Sequence, residues 1–111
     1  MNWIDLTDEQ QLNRLKELSR QRAQLIFKHS TRCAISSMAK SRLERSTPPD
    51  GIDFYYLDLV KHRQLSNKIA ADFAVYHESP QILLIKNGEC IYDESHSGIQ
   101  MDEIAEQAAA A

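Results

Sequence analysis

Glycine is scarce in this 111-residue chain. Its three glycines, Gly51, Gly88 and Gly98, are too scattered to build a loop that cradles phosphate. Most nucleotide-binding readings go with that absence. The four histidines stand at least 15 residues apart, and the two cysteines, Cys33 and Cys90, form no metal-type pair, so no dedicated zinc site is expected. The longest aliphatic run before the terminal alanines is Ile82-Leu83-Leu84-Ile85, far short of the roughly 20 apolar residues of a membrane-crossing helix. No basic start leads into an apolar stretch, so a secretory signal is not expected, and the reading is a cytoplasmic protein in a reducing compartment. Two cysteines there point to a reactive thiol rather than a structural bridge.

What is present is ordinary for a globular domain: 42% hydrophobic and 26% charged residues, net charge −3. A chain of this length buries roughly two-thirds of its unfolded surface, enough for a core without disulfides or metals. Neither repeats nor linkers interrupt it, and residues 1–111 read as a single domain. The charge is uneven. Residues 1–45 hold nine Lys/Arg against five Asp/Glu, and residues 46–111 hold four against eleven. Because the basic residues are interspersed with acids, nucleic-acid binding is not expected. Nor is a membrane partner.

Thr7 followed by Gln10 matches a capping box, and Leu12, Leu15 and Leu18 recur at helical spacing, which predicts a helix over 8–20. Trp3 and Ile4 before it can anchor the helix start or form a short edge strand. Ala23–His29 is a short apolar run suited to a buried strand. Ser30 and Thr31 are good helix N-caps, and Ile35, Met38, Ala39 and Leu43 predict a helix over 33–45 with Cys33 in its first turn. Pro48-Pro49-Asp50-Gly51 breaks the chain before a strand over 52–60, and Leu65, Ile69, Ala70 and Phe73 mark a helix over 62–73. Two strand-like runs, 81–86 and 89–93, flank Asn87-Gly88, a strong hairpin signal. Met101–Ala111 completes the chain as a helix whose last four alanines are expected to fray. The expected fold is α/β, a mixed sheet of four or five strands with helices on both faces.

Cys33 carries the chemistry. A cysteine between a buried strand and a helix sits where unpaired backbone N–H groups point, and the helix dipole favours an anion there by a few tenths to about 2 kcal/mol. Arg32 beside it, with Lys28 and Lys40 nearby along the chain, favours thiolate over thiol. In Cys33-Ala34-Ile35-Ser36 a serine stands where a dithiol oxidoreductase keeps its resolving cysteine, so no disulfide can form by that route. A lone thiolate can take a small thiol from a mixed disulfide but needs an outside thiol to be released. Ser36 can donate a hydrogen bond to the Cys33 sulfur. Cys90 follows the hairpin turn, some 16 Å along a strand from the Cys33 end, beyond the ~7 Å between Cα atoms that a disulfide tolerates. It reads as a structural or surface thiol. His29 is a strand residue near the site with the ordinary chemistry for proton transfer. His77 and His96 are rim candidates or simply exposed loop residues, and Tyr55-Tyr56 places one ring on each face of the sheet.

Phe27-Lys28-His29-Ser30-Thr31-Arg32-Cys33-Ala34-Ile35-Ser36 resembles the active-site stretch of the monothiol bacilliredoxins, Phe-Lys-His-Ser-Thr-Thr-Cys-Pro-Ile-Ser. Tyr56-Leu57-Asp58 with Arg63, Ser66 and Asn67, His77-Glu78-Ser79-Pro80-Gln81, and Ser95-His96 agree as well. The departures are Arg32 for the family's threonine and Ala34 for its proline. The resemblance implies a thioredoxin-like fold and a thiol–disulfide oxidoreductase that removes bacillithiol from proteins. It implies that Pro80 is a cis-proline facing Cys33 and that the Ser79 backbone pairs with substrate. Cys33 is then the catalytic residue, and Thr31, Arg32, Ser36, Ser79 and Pro80 form the substrate groove. No bound cofactor is expected: bacillithiol, or glutathione in its place, is a co-substrate, and S-thiolated proteins are the partners. Two other readings remain open from the residues: a non-catalytic thioredoxin-like binding module with an inert Cys33, and a two-cysteine redox protein in which Cys33 and Cys90 pair after rearrangement or between chains.

Overall fold

Strand and helix alternate as far as Lys86 in the computed structural model, which describes residues 1–111, and the second strand of a hairpin and a last helix follow. The elements are β1 (Ile4–Asp5), α1 (Glu9–Leu18), β2 (Ala23–His29), α2 (Ala34–Arg45), β3 (Ile52–Asp58), α3 (Arg63–Phe73), β4 (Gln81–Lys86), β5 (Glu89–Ser95) and α4 (Met101–Ala110). A single 3₁₀ turn, His96–Gly98, joins β5 to α4. No helix is long and apolar enough to cross a membrane.

The five strands form one mixed sheet in the order β1-β3-β2-β4-β5. β2 runs parallel to β3, with His29 opposite Asp58, and antiparallel to β4, with Lys28 opposite Gln81. All seven residues of β2 are buried, as a central strand covered on both faces requires. On one face α2 and α4 pack Ala39, Leu43, Met101 and Ile104 against Leu25, Phe27, Phe54, Ile82 and Leu84. On the other, α1 and α3 pack Leu12, Leu15, Leu65 and Ile69 against Ile26, Tyr55, Leu57, Leu83 and Ile85. Tyr55 and Tyr56 divide between these two faces, as strand alternation predicts.

Several boundaries differ from expectation, each for a local reason. The cap of α1 is Asp8, not Thr7: the Asp8 carboxylate accepts from the Gln11 N–H at 2.8 Å, and Gln11 Oε1 accepts from the Thr7 N–H at 2.9 Å. Gln11 thus bonds Asp8 through its N–H and Thr7 through its side chain, and the expected reciprocal pair of Thr7 with Gln10 does not form. Of the two readings open for Trp3 and Ile4, the edge strand is the one that forms, and Trp3 packs on the face opposite α1. Ile4 and Asp5 pair with β3, while the Trp3 ring stacks on Phe27 at 5.5 Å. β3 ends at Asp58 because the chain turns there, the Asp58 carboxylate accepting from the Val60 N–H. β5 runs on to Ser95, two residues beyond expectation. The terminal alanines stay helical to Ala110, since Ala108 packs against the core beneath α4.

Candidate functional site

Everything of chemical interest gathers at the His29 end of β2. Leu59 N–H donates to the His29 carbonyl as β3 finishes, and the Cys33 N–H donates to the Ser30 carbonyl at 3.1 Å, closing a turn before α2. That turn leaves Thr31 and Arg32 exposed and Cys33 half-buried. Cys33 is the N-cap of α2 rather than a residue of its first turn: its backbone is extended at φ −114°, ψ 121°, and its carbonyl accepts from Ser37. The thiol thus stands at the helix start, where free N–H groups and the positive end of the dipole lie. Ser30 and Thr31, the N-caps expected from sequence, fall in the preceding turn.

Two sequence expectations about the surroundings of Cys33 need correction. Ser36 makes its hydrogen bonds away from the sulfur. Its hydroxyl accepts from the Ser30 N–H at 3.0 Å and lies 2.7 Å from His29 Nδ1. The reason is the burial of Ser36, which turns one helical turn of α2 inward onto the end of β2. The two lysines are also committed elsewhere. Lys40 Nζ bonds Glu44 at 2.9 Å and lies over the Tyr56 ring, while Lys28 is buried on the opposite face of the sheet. Of the basic residues assigned to the thiol, the exposed Arg32 is the one next to it.

His29 is buried between Phe27 and Tyr56, with ring centroids 5.7 and 5.5 Å away. Desolvation, then the nearby Lys40 ammonium, pull its pKa below the ordinary histidine value, so the ring is neutral at physiological pH. A neutral ring leaves two arrangements. Either Ser36 donates to Nδ1, or Nδ1–H donates to Ser36 and frees the hydroxyl proton to point elsewhere.

The second wall of the site is the segment before β4. The Ser79–Pro80 peptide is cis, and Pro80 is buried. Extending the Lys28–Gln81 register by one and two residues brings Pro80 level with His29 and Ser79 level with Ser30, at the Cys33 end. Ser79 Oγ is buried with no hydrogen-bond partner. A hydroxyl withdrawn from water and left unpaired costs about 1–3 kcal/mol. A chain of contacts ties this wall to α2: Arg42 donates to the carbonyls of Ile99 and His96, and the His96 N–H donates to the Pro80 carbonyl at 3.1 Å. His96 itself is exposed and stands 4.0 Å from the Glu78 carboxylate. Arg42 carries no sequence signal for this clamp, because its partners are main-chain carbonyls more than 50 residues away.

Cys90 lies at the other end of the sheet, paired with Ile85 just past the hairpin turn. Both cysteines are free. Burial pushes the Cys90 thiol up to about 11, and its Sγ–H donates to the Tyr92 carbonyl. At pH 7.5 roughly one Cys90 in a thousand or fewer is thiolate. Iodoacetamide at pH 7.5 is therefore expected to label one cysteine of the folded chain, with peptide mapping locating the label on Cys33, and to reach Cys90 after unfolding.

The sequence profile of the family described as monothiol bacilliredoxin BrxC matches residues 4–104. Among solved structures, a candidate oxidoreductase with a thioredoxin fold superposes with a TM-score of 0.79 at 31% identity, covering 94% of this chain and 91% of that one. Thioredoxins of Malassezia sympodialis (TM-score 0.74, 17% identity, 98% and 90% covered) and Fasciola hepatica (0.70, 17%, 96% and 96%) share the fold. The profile match runs from β1 into α4, through the Cys33 turn and the His77–Gln81 segment alike, and this thioredoxin-fold chain belongs to the monothiol bacilliredoxin family.

Proposed function

We propose that the chain is a monothiol thiol–disulfide oxidoreductase that removes bacillithiol, or a similar small thiol such as glutathione, from protein mixed disulfides. The observation that carries this is Cys33 alone at the start of α2, with Ser36 at the resolving position and the Ser36 hydroxyl bonded to His29. The Cys33 thiolate attacks the small-thiol sulfur of the mixed disulfide. The S–S bond of the mixed disulfide breaks, and the protein leaves as a thiolate that takes a proton from water. Cys33 now carries the small thiol in a disulfide. A second small-thiol thiolate attacks that sulfur, releasing Cys33 as thiolate and leaving with the first as a small-molecule disulfide.

The other residues have defined parts in this reading. The cap position of α2 presents the Cys33 sulfur at the helix start. Arg32, exposed beside it, attracts a thiol that bears a carboxylate, as both candidate thiols do. Thr31, Ser79 and Pro80 border the groove, with the Ser79 main chain facing the bound disulfide. Ser36 serves by holding the turn: with His29 and the Ser30 N–H it locks the strand end to the helix start, keeping Cys33 in place.

The test uses a protein carrying a single mixed disulfide, prepared once with bacillithiol and once with glutathione, and follows both partners by intact mass. The expected result is loss of the small-thiol mass from the protein and its appearance on Cys33, then release on adding free small thiol. A chain that leaves both mixed disulfides intact at equimolar ratio, with Cys33 reduced and intact, would favour a binding module instead. The faster of the two substrates identifies the small thiol.

A further inference from the structure

We infer that Lys28 is a positioning residue: with Gln81, it grips the Tyr76–Glu78 segment from beneath and so sets where Ser79 and Pro80 stand against Cys33. The inference rests on the oxidoreductase reading above and adds a residue to it. Lys28 is fully buried and, by strand alternation, projects from the face opposite His29. Its Nζ donates to the Ser66 carbonyl in α3 at 3.2 Å and lies 3.4 Å from His77 Nδ1, with Ser66 Oγ at 3.3 Å from the same nitrogen. Its cross-strand neighbour Gln81 is also buried. The Gln81 amide donates to the Tyr76 carbonyl at 2.8 Å, and its Oε1 accepts from the Glu78 N–H.

Residues 76, 77 and 78 are thus each held by one of two adjacent side chains of the sheet. The segment forms no helix or strand of its own, so these bonds are what define its path into Ser79 and Pro80. No carboxylate is paired with Lys28. The Glu78 carboxylate faces His96 at the surface, and Arg63 of α3 adds further positive charge near His77. Burial first, then the Lys28 ammonium, hold the His77 ring in its neutral form. A neutral ring has a free lone pair for Lys28 to donate to. The segment's other contacts with solvent are loose: Tyr76 is almost wholly exposed. A hydrophobic side chain of the same length would fill the space under α3, whereas an ammonium fills it and aims its donors at the loop.

Kinetics of small-thiol removal from glutathionylated and bacillithiolated protein decide this, using Lys28→Met, His77→Ala and the double variant. Each single change is expected to raise KM about tenfold with kcat little altered, and the double to do no worse than either, because both break one contact. Amide hydrogen exchange of residues 76–79 is expected to quicken in all three. An unchanged KM in Lys28→Met, or losses that add in the double variant, overturns the inference. If the unaltered chain fails to act on either substrate, the oxidoreductase reading fails. The exchange measurement then decides Lys28 by itself, unchanged exchange in Lys28→Met being the contrary result.

Discussion

Cys33→Ser is expected to cut small-thiol removal by roughly a thousandfold or more, to the uncatalysed rate. The step is attack by a thiolate on a disulfide sulfur, and a serine hydroxyl at neutral pH supplies almost no anion and forms no comparable bond to sulfur. No other group in the fold can stand in. Cys90 is the remaining sulfur nucleophile, and it lies at the opposite end of the sheet, past the hairpin turn, with its thiol pushed up to about 11. His29 is buried and turned to Ser36. The hydroxyl introduced at 33 is close in size to the thiol, so the fold survives and the loss belongs to chemistry. Release of free protein thiol from a glutathionylated substrate measures it. Cys90→Ala, run beside it, is expected to stay within about twofold of the unaltered chain. A Cys33→Ser protein with a tenth of the activity would move the chemistry to another residue.

How much of this was legible in sequence depends on the distance over which each feature is decided. The hairpin at Asn87-Gly88 was legible because two adjacent residues demand it, and both have positive φ in the structure. The placing of Cys33 between a strand and a helix was legible because the apolar run 23–29 ends in a Ser-Thr cluster. The cap of α1 falls one residue later than the spacing predicts because Thr7 and Asp8 are both competent caps, and geometry at Asp5–Gln11 chooses between them. The bonding of Ser36 was not legible. It depends on His29, seven residues back on another element, and on which side of α2 faces the sheet. Lys28 departs from expectation for a simpler reason. Counted along the chain it is near Cys33, yet strand alternation puts it on the face opposite His29, and that rule was available from the sequence. Its partners Ser66 and His77 were not, since three elements must pack before they meet.

Lys28→Met is expected to stabilise the fold at neutral pH while impairing function. The Lys28 ammonium is wholly buried, with a carbonyl and an imidazole as acceptors and no carboxylate partner. Desolvation pulls its pKa from 10.5 to about 8. At about 1.4 kcal/mol per pKa unit, that corresponds to roughly 3 kcal/mol of stability missing below pH 8. Between pH 8 and 10.5 the unfolded lysine keeps a proton that the folded one has lost, so the unfolded state binds more protons and stability rises with pH. Methionine fills nearly the same unbranched volume without charge. It also removes one contact of His77, though the Ser66 hydroxyl remains beside that ring. The net expectation is a gain of about 2 kcal/mol at pH 7, or roughly 10 °C in melting temperature for a chain of this size. Urea unfolding of both proteins at pH 7 and pH 10 checks the sign: the difference should shrink at the higher pH, as the unaltered chain recovers what burial of the charge costs it. A variant less stable at both pH values would mean that the donors of Lys28 outweigh its desolvation. If the gain appears together with a raised KM, the fold tolerates a costly buried cation because the loop above it must be held in place for substrate, a trade of stability for function.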